Sequence, residues 1–539
     1  MTHSAHIDDF CARHLPPPAW LPEFRFDLPE LHFPDRLNCA HELLDRWVEQ
    51  GDGERLCLQG HGVRWTYAEL QAQSNRIARV LVEDMGLVPG NRVLLRGANS
   101  PMLAACWFGV VKAGGIAVGS MPLLRARELT QIVGKAQISH ALCDQRLAEE
   151  LRLAAPQCPT LTQVLHFHSD APDALEARAA AKPAQFRNVD TAADDTCLMA
   201  FTSGTTGTPK GTMHFHRDVM AACACWPVHS LRASPDDVFI GSPPLAFTFG
   251  LGGLLLFPLS IGASSVLLEK ASPDPLPGYI AQYRASVCFT SPTAYRAMAA
   301  AVARHDVSSL RKCVSAGEAL PAATRRLWKE TTGIEMIDGI GSTELLHIFI
   351  SHTDDDAKPG ATGKPVPGYT ACVLGPDLKP LPSGQVGRLA VKGPTGCRYL
   401  ADERQRQYVQ DGWNLTGDAY LVDEDGWFVY QARTDDMIVT GGYNVAGPEI
   451  ESVLLQHPAV AECGVVGVPD EERGQIVKAF IVLRPGHDAS EVMVKTLQDY
   501  VKQNIAPYKY PRAIEFREAL PRTETGKLQR FRLRTEASR

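Results

Sequence analysis

A loop rich in hydroxyl groups runs from Thr202 to Gly211 and reads Thr-Ser-Gly-Thr-Thr-Gly-Thr-Pro-Lys-Gly. Its small residues bring backbone N–H groups close together and Lys210 adds a positive charge, so the loop is suited to holding a polyphosphate. The apolar residues 198–201 predict a buried strand before the loop, and the sequence from Met213 onward predicts a helix after it. The loop is not a Walker loop, because it lacks the Gly-Lys-Ser/Thr ending.

A second chemically suggestive segment lies near the C-terminus, where residues 521–530 read Pro-Arg-Thr-Glu-Thr-Gly-Lys-Leu-Gln-Arg. It offers one lysine, Lys527, on a glycine-bearing turn. A lysine in a C-terminal segment is by default a solvated surface residue. Whether Lys527 is a functional residue therefore has to be judged from the motifs in the rest of the chain.

The elements that must position these residues alternate between strand and helix. Thr66 and Glu69 have the spacing of a capping box and predict a helix that starts after Thr66. Residues 92–95, 102–113 and 116–118 then predict a strand, a helix and a strand, an order typical of an α/β protein with largely parallel sheet. Residues 365–391 change to short strands broken by Gly and Pro, which indicates a small β-rich lobe.

The length and composition limit the classes of protein to which this chain can belong. A chain of 539 residues is too long for one core, so about two to four lobes are expected. It is 45% apolar and 21% charged, with a net charge of −7 and a pI near 6.2, so we expect a soluble protein that does not bind nucleic acid. The first 27 residues lack a continuous apolar stretch and the apolar run 251–259 is too short for a bilayer, so we expect no membrane association and a cytoplasmic location.

The fourteen cysteines contain no CxxC pair and no framework-like spacing. We interpret them as reduced thiols of a cytosolic protein, with a metal site as the alternative. The sequence does not determine the oligomeric state and leaves a homodimer open.

Two further segments, residues 315–321 (Ser-Ala-Gly-Glu-Ala-Leu-Pro) and residues 338–344 (Asp-Gly-Ile-Gly-Ser-Thr-Glu), follow the hydroxyl-rich loop in order. Together with the loop and the Lys527 segment, they resemble the signature of the adenylate-forming superfamily over nearly the whole chain. That superfamily contains acyl-CoA synthetases, adenylation domains of peptide synthetases and firefly-type luciferases. The resemblance implies an N-terminal AMP-binding domain, residues 1–434, made of α/β sheets and the β-rich lobe. It also implies a smaller, mobile α+β domain, residues 435–539, that carries Lys527.

The resemblance also implies ATP, Mg²⁺ and coenzyme A as the small molecules used, together with an acid. Glu344 would bind Mg²⁺, Thr343 would contact the α-phosphate, and Lys527 would bridge the acid and the α-phosphate; these three are the catalytic candidates. Asp418, which we expect in a turn, would bind the ribose with help from Arg433. The other ATP-binding candidates are Thr202, Ser203, Gly204, Thr205, Thr206, Gly207 and Lys210 at the phosphates, and Gly317, Glu318, Asp338, Gly339 and Ile340 at the adenine.

A change of domain orientation between two half-reactions is a further property of many relatives. The resemblance implies that Asp435 is the hinge and that Gly441, Gly442 and Tyr443 line the path of the CoA thiol. Without the resemblance, residues 440–445 would be interpreted equally well as a tight turn between strand and helix.

The segments 338–351 and 245–252 look like those of the benzoate-CoA ligase branch. In that branch the residues matching Gly341, His347 and Ile348 surround the aromatic ring, and those matching Thr248 and Phe249 form the opposite wall. Thr248 stands where a benzoate enzyme has a small apolar residue, so its hydroxyl could bind an ortho substituent.

The first substrate hypothesis is 2-aminobenzoate, since the chain resembles 2-aminobenzoate-CoA ligases. Benzoate or another substituted benzoate is second. A stand-alone aryl-acid adenylation enzyme that loads a carrier protein is the alternative from another class, and a light-emitting or purely nucleotide-binding relative is weaker still.

The proposed role of Lys527 generates a first prediction. Lys527→Ala should nearly abolish formation of the acyl-adenylate, because a mobile cation would be lost from the reacting phosphate. Transfer from a supplied aryl-AMP to CoA should be largely retained. The two half-reactions can be measured separately by pyrophosphate exchange and by thioester formation, and equal losses in both would show that the assigned role is wrong.

Overall fold

The computed structural model describes residues 4–60, 62–202, 209–434, 436–440, 443–470, 473–505, 509–522 and 528–537. The strands are β1 (Leu56–Gly60), β2 (Val63–Thr66), β3 (Arg92–Arg96), β4 (Ile116–Ser120), β5 (His140–Asp144), β6 (Gln163–Phe167), β7 (Thr196–Thr202), β8 (Lys210–Phe215), β9 (Val238–Gly241), β10 (Ser264–Val266), β11 (Val287–Thr290), β12 (Lys312–Ser315), β13 (Met336–Gly341), β14 (Ile348–Ser351), β15 (Lys364–Pro365), β16 (Thr370–Leu374), β17 (Gly387–Lys392), β18 (Val409–Gln410), β19 (Trp413–Val422), β20 (Phe428–Arg433), β21 (Ile438–Thr440), β22 (Tyr443–Val445), β23 (Val460–Asp470), β24 (Gly474–Leu483) and β25 (Ala513–Phe516).

The α-helices alternate with these strands. They are α1 (Phe10–Arg13), α2 (Arg46–Glu49), α3 (Tyr67–Arg79), α4 (Pro101–Lys112), α5 (Ala126–Ala136), α6 (Ala148–Ala154), α7 (Leu175–Ala180), α8 (His216–Trp226), α9 (Thr248–Leu251), α10 (Phe257–Ser260), α11 (Leu276–Tyr283), α12 (Pro292–Val302), α13 (Ala322–Thr332), α14 (Gln405–Tyr408), α15 (Gly447–Leu454), α16 (Glu491–Asn504) and α17 (Arg530–Ala537).

Two largely parallel sheets form the N-terminal part. One runs in the order β6-β5-β3-β4-β7-β8, with β8 antiparallel at its edge. The other runs β15-β14-β13-β12-β11-β9-β10-β1-β2, with antiparallel strands at both ends. Every residue of α4 except Met102 is buried, as expected for a helix packed among other layers rather than against solvent. The predicted α/β fold with parallel sheet is confirmed.

The sequence signals for the first long helix and for the β-rich lobe are also confirmed. Thr66 accepts a hydrogen bond from the backbone N–H of Glu69, whose side chain accepts from the backbone N–H of Thr66, so α3 begins with the predicted capping box. Strands β16, β17, β19, β18 and β20 form an antiparallel sheet that contains the predicted small lobe.

The C-terminal part is smaller and mixed in structure. Strands β23 and β24 are antiparallel, β25 joins β24 in parallel, and α15, α16 and α17 accompany this sheet. A side-chain contact joins the two parts of the chain, since Arg522 Nη1 lies 3.9 Å from Glu318 Oε1. The residue just before the Thr-Glu-Thr-Gly-Lys segment therefore lies beside the predicted adenine motif.

Candidate active site

The hydroxyl-rich loop joins two antiparallel strands. Thr202 at the end of β7 is paired with Lys210 at the start of β8, so the described ends of the loop face each other. The prediction of a helix from Met213 onward is wrong, because Met213 to Phe215 are buried and pair with β7, and α8 begins only at His216. The proposed phosphate contacts Ser203, Gly204, Thr205, Thr206 and Gly207 lie outside the described residues.

A tyrosine that the sequence did not single out connects this loop to the proposed magnesium ligand. Lys210 Nζ donates a hydrogen bond to Tyr399 Oη at 3.0 Å, and the Tyr399 hydroxyl donates to Glu344 Oε1. Tyr399 is 1% exposed and Glu344 is 8% exposed. The segment around Tyr399 has no pattern that separates this tyrosine from an ordinary core residue, so the sequence alone does not indicate its contacts.

The neighbouring Thr343 is held from the same strand, β8. His214 Nε2 lies 2.8 Å from the Thr343 carbonyl oxygen. Burial lowers the pKa of His214 to about 4, despite the carboxylate of Asp218 nearby, so the ring is neutral at pH 7. A neutral ring bonded to a carbonyl carries its proton on the bonded nitrogen, so His214 donates to Thr343 and fixes the backbone next to Glu344.

The chemistry of Glu344 fits a magnesium ion. Within the described part of the chain, its only hydrogen bond is the one from Tyr399 to Oε1, so Oε2 is available as a ligand. Mg²⁺ takes oxygen ligands and is commonly held by one or two carboxylates together with substrate phosphates. Glu344 would hold such an ion, whose charge would offset that of the phosphates.

The predicted adenine residues lie at the ends of β12 and β13. Gly317 has a φ of 87°, in the region that favours glycine, and the next residue, Glu318, accepts a hydrogen bond from Thr293 Oγ1 at 2.7 Å. Asp338 is paired with Ser315 across the two strands, and Gly339 and Ile340 continue β13. Burial raises the pKa of Asp338 to about 7, against the opposing effect of Arg325, and its Oδ1 has no partner among the described residues.

Asp418 and Arg433 are brought together by strand pairing. They are direct register partners in β19 and β20, and Arg433 Nη1 lies 3.1 Å from Asp418 Oδ1. The expectation that Asp418 lies in a turn is wrong, since it belongs to β19. The adjacent Gly417 has a φ of 78°, and a Cβ there would lie 2.7 Å from Arg433 Nη2, so the glycine leaves room for the guanidinium. Burial raises the pKa of Asp418, and Arg433 opposes that rise.

A wall of rings surrounds His347, formed by the proposed aryl residue Phe249 and by two rings that the sequence did not single out, Phe257 and Trp226. The His347 ring centroid lies 4.4 Å from that of Phe257, 5.6 Å from Phe249 and 5.7 Å from Trp226. Burial lowers the pKa of His347 to about 3, so its ring is neutral, and its Nε2 lies 3.3 Å from the Phe249 carbonyl oxygen. Nε2 therefore carries the proton, and the buried Nδ1, which lacks a partner among the described residues, is an acceptor.

Gly341 and Ile348 complete this wall through the pairing of β13 with β14, in which they are opposite each other. A Cβ at Gly341 would lie 2.6 Å from the His347 carbonyl oxygen, so the close approach requires glycine. Thr248 begins α9, is 8% exposed, and lines an apolar cavity together with Trp107 and Met199. The structure therefore brings Phe249, Gly341, His347 and Ile348 together and sets Thr248 at an adjoining cavity.

The comparisons with known proteins agree with this geometry. A model of the AMP-binding enzyme family matches residues 44–399, more than half of the chain, and a model of the AMP-binding enzyme C-terminal domain matches residues 449–527. The chain belongs to the AMP-binding enzyme family.

Individual relatives resemble this AMP-binding enzyme over nearly its whole length. The benzoate–CoA ligase of Thauera aromatica is 36% identical over 516 residues, which are 94% of this chain and 97% of that protein. The crystal structure of an anthranilate CoA ligase in complex with anthranoyl-AMP has a TM-score of 0.91 at 35% identity and covers 95% of this chain and 99% of its own. A benzoate CoA ligase from Burkholderia xenovorans LB400 has a TM-score of 0.83 at 31% identity, covering 92% and 99%. The predicted membership of the adenylate-forming superfamily and of its benzoate-CoA ligase branch is confirmed.

Several residues that the family resemblance singled out lie outside the described part of this AMP-binding enzyme. These are Asp435, Gly441, Gly442 and Lys527. Tyr443 begins β22 and pairs with Thr440 of β21, so the described residues on either side of Gly441 and Gly442 lie on two antiparallel strands.

A group of possible metal ligands lies elsewhere in the core of the AMP-binding enzyme. Cys39 Sγ is 4.0 Å from Cys197 Sγ and 3.2 Å from Nδ1 of His216. The same Nδ1 accepts a hydrogen bond from the backbone N–H of Cys39 at 3.1 Å, which occupies the lone pair that a metal would need. We therefore assign no ion to this group. None of the described helices has the length and apolar character of a membrane span.

The close approach at Gly341 generates a stability prediction. Gly341→Ala should lower the free energy of unfolding by about 1 to 3 kcal/mol, because the new Cβ meets backbone atoms that cannot move aside independently. Gly134→Ala is the matched control: Gly134 lies in α5, and a Cβ there would meet no atom within 4 Å. The control should be neutral or stabilising by up to about 1 kcal/mol. Denaturant unfolding measures both, and equal stability of the two variants would contradict the proposed constraint.

Proposed function

We propose that the protein is an aryl-CoA ligase that activates an aromatic acid with ATP and transfers the acyl group to CoA, with 2-aminobenzoate as the preferred acid. The observation that carries the aromatic assignment is the wall of rings around the neutral His347. Small-molecule pockets are lined mainly by apolar and aromatic side chains, and the cavity that Thr248 lines is of this kind, with Trp107 and Phe247 in its wall. The benzoate and anthranilate CoA ligases that this chain resembles support the same assignment.

The chemistry follows from the difficulty of activating a carboxylate. Its negative charge repels a thiol nucleophile, and oxide is a poor leaving group. Attack of the carboxylate oxygen on the α-phosphorus of ATP expels pyrophosphate and gives a mixed anhydride with AMP. The CoA thiol then attacks the carbonyl carbon and releases AMP. Lys210, Thr343 and Lys527 would position and neutralise the phosphates in the first step, in which positioning and electrostatics provide most of the catalysis.

The two half-reactions need different neighbours around the adenylate. We infer that the C-terminal part, residues 435–539, rotates at Asp435 between them and that Gly441, Gly442 and Tyr443 then line the thiol path. The contact between Arg522 and Glu318 supports an adenylation arrangement in the described structure, because it brings the segment before Lys527 to the adenine motif.

Preference for an ortho amino group rests on the acceptors beside the rings. Nδ1 of His347 is a buried acceptor without a partner among the described residues, and the Thr248 hydroxyl lies in the adjoining wall. An amino group donates hydrogen bonds, so either atom could bind it, whereas benzoate has no ortho donor. Benzoate is the second candidate because a benzoate–CoA ligase is 36% identical to this chain.

A panel of benzoates tests the proposal. The purified protein is supplied with ATP, Mg²⁺ and benzoate, 2-aminobenzoate, 2-hydroxybenzoate or 2-nitrobenzoate, with CoA or without an acceptor, and AMP and aryl-CoA are measured. We expect aryl-CoA and AMP in equal amounts, with the highest kcat/KM for 2-aminobenzoate. Acyl-adenylate that accumulates without transfer to CoA would favour a carrier-loading enzyme, and absence of AMP with every acid would contradict the proposed reaction class.

Thr248 generates a prediction about specificity. If its hydroxyl binds the ortho amino group, Thr248→Ala should move the ratio of kcat/KM values toward benzoate by about 1 to 2 kcal/mol, since a hydrogen bond is lost for one substrate alone. Thr248→Ser retains the hydroxyl and is the matched control, which should keep the preference. An unchanged ratio of kcat/KM values in Thr248→Ala would show that another atom, such as Nδ1 of His347, recognises the ortho group.

A further inference from the structure

Tyr399 lies between two charged groups that the proposed reaction requires. Its hydroxyl oxygen accepts a hydrogen bond from Lys210 Nζ at 3.0 Å and its proton is donated to Glu344 Oε1. The Lys210 ammonium also lies 4.9 Å from the centroid of the Tyr399 ring. One buried side chain thus contacts the phosphate-loop lysine and the proposed metal ligand at once.

The backbone around Tyr399 is fixed by β8 itself. The Arg398 carbonyl accepts from the Met213 N–H at 2.9 Å, and the Leu400 N–H donates to the Gly211 carbonyl at 2.8 Å. The Tyr399 N–H donates to the side chain of Gln405 at 2.9 Å. Because β8 begins with Lys210, the tyrosine hydroxyl and the lysine are positioned by one hydrogen-bonded unit.

The neutral Tyr399 hydroxyl leaves Lys210 and Glu344 available to other partners, which a direct ion pair between them would not. Among the ion pairs of the described residues, none joins Lys210 to Glu344. A direct pair would commit the ammonium to the carboxylate, whereas both have other partners in the proposed reaction. Tyr399 satisfies one oxygen of Glu344 and leaves Oε2 open.

We propose that Tyr399 is a positioning residue, which orients the Glu344 carboxylate toward Mg²⁺. This inference rests on the proposed ATP-dependent function. Groups that hydrogen bond with metal ligands orient them, and their loss commonly weakens metal binding or activity by about 10-fold to 100-fold. The competing interpretation is a core tyrosine that contributes only to stability, and the two differ in their effect on metal binding.

The test uses Tyr399→Phe, which keeps the ring and removes the hydroxyl. Mn²⁺ is the probe, since free Mn²⁺ can be measured by electron paramagnetic resonance in the presence of protein and ATP. We expect the variant to bind Mn²⁺ about 10-fold or more weakly in the ATP complex. We also expect pyrophosphate exchange to require correspondingly more Mg²⁺, with little change in ATP binding in the absence of metal.

Tyr295→Phe is the matched control. Tyr295 is also fully buried, and its hydroxyl donates to the Cys288 carbonyl at 2.7 Å in another part of the core. It should lose stability without any change in Mn²⁺ affinity. Wild-type Mn²⁺ affinity and Mg²⁺ dependence in Tyr399→Phe, or equal losses in both variants, would overturn the proposal.

A second comparison keeps the test possible if Tyr399→Phe alone does not fold. The double variant Tyr399→Phe/Glu344→Gln removes the buried carboxylate that the single variant leaves without its hydroxyl partner, and it is compared with Glu344→Gln alone. If Tyr399 acts through Glu344, both should bind Mn²⁺ equally, because the effects are not additive. A further loss in the double variant would overturn the proposal. Wild-type protein that neither binds Mn²⁺ with ATP nor exchanges pyrophosphate would instead contradict the proposed function.

Discussion

The pairing of β8 on both of its edges is the constraint on which the site depends. Side chains alternate along a strand, so Lys210, Thr212 and His214 project from one face of β8. Thr212 pairs with Tyr399, Lys210 bonds to the hydroxyl of that tyrosine, and His214 bonds to the Thr343 carbonyl. Lys210 of the hydroxyl-rich loop and the supports of Thr343 and Glu344 therefore share one register. A slip of one residue in β8 would turn all three side chains to the opposite face.

Burial sets the charge of the histidines that support this arrangement. With pKa values of about 4 for His214 and about 3 for His347, both rings stay neutral in the folded protein well below pH 6.5. The unfolded chain binds protons near pH 6.5, so it carries more protons than the folded chain in the interval below that pH. Stability therefore falls as the pH drops from about 6.5 toward each folded pKa value. The same neutrality gives each ring one donor and one acceptor, which a charged imidazolium could not provide.

The sequence predicted those features that depend on local patterns. Alternating apolar segments predicted the parallel sheets, and the spacing of Thr66 and Glu69 predicted the start of α3. The helix predicted from Met213 onward is wrong for residues 213–215, because so short a segment is compatible with a strand or a helix and only pairing with β7 distinguishes them. The turn predicted at Asp418 is wrong as well, since Asp418 lies in β19, where Gly417 leaves room for the close approach of Arg433.

The contacts that could not be predicted are those between distant segments. Tyr399 is 55 residues from Glu344 and 189 from Lys210, so no local pattern could relate them. Its role is visible only once Arg398–Leu400 is aligned with β8. Family motifs singled out Glu344 and Lys210 as proposed ligand contacts. They did not single out Tyr399, whose side chain positions such a contact.

The order of residues along 338–348 links the nucleotide to the acid. Asp338 lies where β12 and β13 pair, Glu344 and His347 follow in the connection, and Ile348 begins the return along β14. The connection reverses within a few residues because Leu346 adopts a φ of 72°, a conformation rare for a residue other than glycine. Since this short segment carries the proposed adenine, metal and aryl contacts in turn, the proposed sites for both reactants lie along one reversed connection. A single reversed segment can thus align both reactants, which is the main requirement for adenylate formation.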